Sequence, residues 1–95
     1  MDTNEAISKL RQIKPYLQQE YAVKRVGLFG STVRGTNTKN SDVDILVEFE
    51  RPVGVEFIDL SYLLEKELNN KVDVVSRKGI KDKYFKEIEK DIVYV

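Results

Sequence analysis

Three aspartates and one Gly-Ser pair hold most of the chemistry this sequence can offer. Gly30-Ser31 follows the apolar run Val26-Gly27-Leu28-Phe29. Ten residues later, Asp42-Val43-Asp44 opens a second apolar run, Ile45-Leu46-Val47. Asp73 sits inside a third, Val72-Asp73-Val74-Val75. Strand side chains alternate between faces, so Asp42 and Asp44 share one face, their Cα atoms about 6–7 Å apart. Val43, Ile45 and Val47 then face the other way and can pack on helices. Two carboxylates at that spacing suit one or two metal ions. Without a cation they repel, and one tends to keep its proton. An aspartate among valines costs strand propensity, and it costs desolvation unless it is paired or bound to metal. Asp73 is therefore the oddest of the three, although a lone aspartate in a short strand often lies on an exposed edge. It would converge on the other two if its strand lies beside theirs.

The Gly-Ser pair predicts a phosphate-holding turn. Glycine lets backbone approach a ligand closely. Ser31 can open a short helix, whose first N–H groups attract phosphate. No Gly-Lys-Ser/Thr follows, so this is no Walker loop. Arg34 lies close enough in sequence to reach the same phosphate. Each feature has a plain structural account when taken alone. An isolated DxD marks a solvated strand entrance, Gly-Ser makes a corner and a cap, and an exposed arginine is simply solvated. It is their conjunction that argues for a site with catalytic Asp42, Asp44 and Asp73 and nucleotide-binding Gly30, Ser31 and Arg34.

Composition narrows the chemistry further. The 95 residues contain neither cysteine nor histidine. Thiolate and imidazole metal sites, Ser-His-Asp catalysis and disulfides are thereby excluded. Any metal must be held by oxygen, which favours magnesium, manganese or calcium. Lysine plus arginine balances aspartate plus glutamate at 16 each, and the pI is about 6.3. A general nucleic-acid coat would be more basic. The N-terminus is no signal peptide, and no run approaches the ~18 apolar residues of a membrane span. A cytoplasmic protein with one domain over residues 1–95 is expected.

Alternating helices and strands must position these residues. Asp2 or Thr3 can cap a first helix, with Glu5 placed as in a capping box. Ile7, Leu10, Ile13 and Leu17 carry its apolar stripe, and Pro15 predicts a break near Ile13–Lys14. Strands are expected at Val23–Phe29, Asp42–Phe49 and Lys71–Val75. Between the first two, Thr32–Gly35 reads as a helical turn and Thr36–Ser41 as an exposed loop. Helices are expected at Val55–Leu68, with Phe57, Leu60, Leu64 and Leu68 on one face, and at Asp82–Lys90, with Phe85 and Ile88 inward. Ile92–Val95 reads as an edge strand. The order implies an α/β layer structure.

Gly30-Ser31, ten residues and Asp42-x-Asp44 together resemble the signature of the DNA polymerase beta-type nucleotidyltransferase superfamily. The wider stretch LFGSTVRG…SDVDILVEF is similar to its small branch, the minimal nucleotidyltransferase (MNT) domain proteins, and the likeness covers nearly the whole chain. The resemblance implies a small mixed sheet with helices mainly on one face. It implies that Gly30 and Ser31 hold the triphosphate of ATP and that Asp42 and Asp44 bind two Mg2+ ions, Mn2+ being an alternative. Asp73 would complete the metal site and help activate the attacking hydroxyl. The implied reaction transfers AMP to an acceptor hydroxyl and releases pyrophosphate. Only about 20 residues follow Asp73, which leaves little wall for base or acceptor. The small branch is often paired with a HEPN-domain toxin, on a tyrosine of which its members place AMP. Two other readings stand beside this one: a non-catalytic antitoxin that occludes its partner, and transfer to a small molecule or an RNA end. Homo-oligomerisation is left open.

Overall fold

The computed structural model describes residues 1–38 and 40–95; Lys39, inside the expected loop Thr36–Ser41, lies outside the described residues. Among the described residues, four helices alternate with four strands: α1 Thr3–Tyr21, β1 Val23–Phe29, α2 Ser31–Arg34, β2 Val43–Phe49, α3 Glu56–Leu68, β3 Val72–Ser76, α4 Asp82–Glu89 and β4 Val93–Tyr94. The strands form one mixed sheet in the order β3-β2-β1-β4. β1 runs antiparallel to both β2 and β4, whereas β2 and β3 are parallel and joined through α3. This is the α/β arrangement expected, including the closing strand at a sheet edge.

The core lies on one face of the sheet. α1 contributes Ala6, Leu10 and Leu17, and α3 contributes Leu60, Leu64 and Leu68. They meet Val26 and Leu28 of β1 and Val43, Ile45 and Val47 of β2. The alternation of β2 thus decides which way its acids face. Burying each leucine, isoleucine and valine of this set supplies about 1.5–3 kcal/mol. The other face is covered lightly. α4 lies against it near Phe29, and none of its residues is fully buried. Gly27 also belongs to this face, where an added Cβ would meet Ile92 at 2.9 Å. Among the described residues, no helix is long and apolar enough to cross a membrane.

Local chemistry fixes the helix ends. The Asp2 carboxylate accepts from the Glu5 N–H at 2.8 Å, which caps α1. Asn69, at φ 51°, closes α3 in the left-handed conformation. The break expected at Pro15 does not occur: α1 runs unbroken through it. Pro15 is on the exposed side, so water can satisfy the Arg11 carbonyl that it leaves without a donor. Leu10 and Leu17, on either side of it, are held by the same core. Packing therefore overrides the local preference for a break. Pro15→Ala would restore the missing N–H. It is expected to raise unfolding stability by about 1–3 kcal/mol, reduced from the full helix penalty by the looser unfolded chain. Urea denaturation checks this, and a destabilised variant would mean that α1 needs the proline's geometry.

Candidate active site

The site is built where β1 gives way to α2. Gly30 is the one residue between them, at φ 77° and ψ −151°. L side chains do not tolerate that region. A Cβ on Gly30 would also run into the Asp44 carboxylate. Both backbone and space therefore demand glycine here. Ser31 opens α2, and the Arg34 N–H donates to the Gly30 carbonyl at 3.1 Å, closing a single tight turn.

Sheet register assembles the acids. Phe29 pairs with Asp44 across the antiparallel β1–β2 ladder, and Asp44 pairs with Asp73 across the parallel β2–β3 ladder. Residues paired in this way project to the same face. Asp44 and Asp73 are therefore neighbours beside Gly30. Asp42 precedes β2 and faces a separate hollow with Asn40, Ser41, Asn70 and Lys71. Ser41, just before it, is held by the Thr38 N–H at 2.9 Å and by the Asn70 amide at 3.4 Å.

Burial separates the acids, and Asp73 follows the exposed-edge alternative. Asp73 is exposed, because β3 is an edge strand, while Asp44, one strand further in, is half-buried. The desolvated acid is Asp44. Burial pushes its carboxyl above the usual carboxylate value, the charges of Asp73 and Asp42 push it further, and Arg34 partly offsets them. Arg34 itself is exposed, with Nη1 3.3 Å from Asp91 Oδ2. An exposed pair of this kind contributes at most about 1 kcal/mol, so it leaves the guanidinium available to a phosphate.

A cleft of about 190 Å³ opens over this row, with Phe29, Gly30, Arg34 and Asp44 on the sheet side. Its other wall is α4 and the residues just after it: Tyr84, Glu87, Ile88 and Asp91. The sequence alone assigns no role to Tyr84, Glu87 or Asp91. Their only signal was a shared helical face at spacings of three and four. A roomier hollow of about 330 Å³ lies at the opposite end of β2, lined by Phe49, Arg51, Arg77 and Lys78 among others. It holds none of the three aspartates, so charge rather than volume locates the chemistry.

The donor set fits a hard divalent cation. It consists of three carboxylates, two of which raise the proton affinity of Asp44, with no histidine or cysteine in the sequence. Among the described residues, no group of three acids is drawn into a closed metal-holding cluster.

Known proteins resemble this chain in sequence and in fold. The model of the nucleotidyltransferase domain family matches residues 10–95. A Methanocaldococcus jannaschii relative, named as a proposed protein adenylyltransferase, is 44% identical over 90 residues, spanning 90% of each chain. The protein adenylyltransferase MntA of Thermococcus cleftensis is 41% identical over 83 residues, 86% of this chain and 84% of its own. A solved structure of a proposed minimal nucleotidyltransferase superposes with a TM-score of 0.84 at 26% identity, covering 98% of this chain and 95% of that one. A second shares the fold alone, with a TM-score of 0.68 at 18% identity, over 95% of this chain and 70% of its own. It holds a tri-AMPylated Shewanella oneidensis HEPN toxin in complex with an MNT antitoxin.

The raised carboxyl of Asp44 gives a signed prediction. Below the unfolded value of about 3.9 the group is protonated in both states and the penalty is absent. As pH rises through the window up to the folded value, the native state loses stability, and the loss persists above it. In metal-free buffer, Asp44→Asn should therefore melt higher than the parent at pH 7, and the gap should close as pH falls towards 4. Melting curves across pH check this. A variant that melts lower at pH 7 would contradict the electrostatic account.

Proposed function

The chain belongs to the nucleotidyltransferase domain family, and on that premise we propose that it moves AMP from ATP to a tyrosine hydroxyl of a HEPN-domain partner, as an MntA-like antitoxin. The observation that carries this is the Asp44–Asp73 pair in parallel register, with Gly30 set directly against Asp44. The protein acceptor is taken over from the adenylyltransferase names of the relatives. The HEPN partner is taken over from the structural neighbour of the same fold. We place the reaction in the cytoplasm, where ATP and magnesium are plentiful.

Each residue then has a role. Gly30 and Ser31 bring backbone close to the triphosphate, and Arg34 reaches a phosphate from the end of α2. Asp42, Asp44 and Asp73 would hold divalent ions, Mg2+ or Mn2+, which supply Lewis-acid polarisation of the phosphates and of the attacking oxygen. Asp73, exposed on the edge strand, receives the proton of the tyrosine hydroxyl. The phenolic oxygen bonds to the α-phosphorus, the bond from that phosphorus to the β-phosphate bridge breaks, and pyrophosphate leaves. Asp44 stays buried enough to fix the geometry of this end of the sheet.

The acceptor approaches over the acid-bearing face, because α1 and α3 fill the other one. Incubating chain and partner with ATP and magnesium should add units of about 329 Da to the partner, read by intact-mass spectrometry. Asp42→Asn with Asp44→Asn should abolish the gain, and Asp73→Asn should slow it at least ~100-fold. Tight binding with no added mass under any nucleotide would favour occlusion of the partner, and mass added to a small molecule or RNA instead would move the acceptor.

A further inference from the structure

We propose that the face of α4 carrying Tyr84 and Glu87 is the subsite for the nucleotide's purine base; this rests on the nucleotidyl-transfer reading and adds where the base goes. The cleft between this face and the Gly30–Asp44 row measures about 190 Å³. Whole small-molecule sites run to ~300–1,000 Å³, so the cleft takes a ring system rather than a complete nucleoside triphosphate. Its charge says which part enters. Asp44, Glu87 and Asp91 line it against one cation, Arg34, which Asp91 already pairs at 3.3 Å. Glu87 and Asp91 make the α4 side of the cleft a wall of acceptors, which takes an amino group, while Gly30 and Arg34 on the sheet side keep the phosphates. Adenine offers an exocyclic amine and a flat ring.

Tyr84 supplies the stacking surface. Its ring lines the cleft yet is 51% exposed, a large aromatic with much of its area uncovered. Glu87 lies three residues on, on the same helical face, and its carboxylate can accept from the base amine. Arg77 pairs with Asp82 at 3.1 Å and stacks over Phe85 at 3.8 Å, which ties the start of α4 to the end of β3 without burying the helix. A base inserted between Tyr84 and the sheet would leave its phosphates at Gly30, beside the acids.

The test is calorimetry on the full chain with Mg2+ and two probes: an ATP analogue with a methylene bridge between the α- and β-phosphates, and the same compound with unsubstituted purine in place of adenine. Tyr84→Ala should weaken both by about tenfold, within the ~1–3 kcal/mol of base–aromatic stacking, while Tyr84→Phe should stay within about twofold of the parent. Glu87→Gln should weaken the adenine probe several-fold and leave the purine probe unchanged. Circular dichroism establishes that each variant keeps its helix content, as expected for exposed positions. Parent-like affinity in Tyr84→Ala, or equal losses on both probes in Glu87→Gln, would overturn the subsite while leaving nucleotidyl transfer standing. Failure of the parent chain to bind either probe would overturn both.

Discussion

Like charges held together at one end of a sheet are the constraint from which the rest of this molecule follows. Asp44 is fixed beside Asp73 by parallel register and stands within electrostatic reach of Asp42. Burial strengthens the repulsion, since the inner carboxyl has lost part of its water. A chain selected only for stability would place valine there. The arrangement persists because the opposite side of β2 is locked: Val43, Ile45 and Val47 are seated in the core. A slip of one residue would turn those three to water and drive the acids inside. The core of α1 and α3 thus stabilises the fold and also aims the carboxylates.

Gly30 serves the same constraint from the neighbouring strand. Its backbone conformation turns the chain from β1 into α2 within one residue, and its missing side chain leaves the space that Asp44 occupies. Turn and acid are therefore one unit. The backbone and the carboxylates proposed to hold phosphate and metal cannot move independently. That coupling is the preorganisation phosphoryl transfer requires, since positioning and charge stabilisation carry most of its catalysis.

Much of this could be read in the residues because the signals are local. The period-two alternation of β2, the Asp2 cap and the Leu60-Leu64-Leu68 stripe each specify structure without help from distant parts of the chain. Three features escaped because they depend on assembly. Pro15 reads as a break until Leu10 and Leu17 are seen to sit in one core on either side of it. Asp73 reads equally as a desolvated acid or as one on an exposed edge until β3 proves to be an edge strand, which leaves the desolvation with Asp44. The α4 wall was invisible because nothing in Tyr84, Glu87 or Asp91 announces which face of the sheet their helix will cross.

The central claim is that a divalent cation relieves the repulsion among these acids, and thermal unfolding against magnesium concentration tests it most directly. At neutral pH and constant ionic strength, the melting temperature of the full chain should climb with magnesium following the mass-action form RT ln(1 + [L]/Kd). The climb should be steeper with a non-transferable ATP analogue present. A melting temperature that ignores magnesium and manganese, with and without that analogue, would contradict the account.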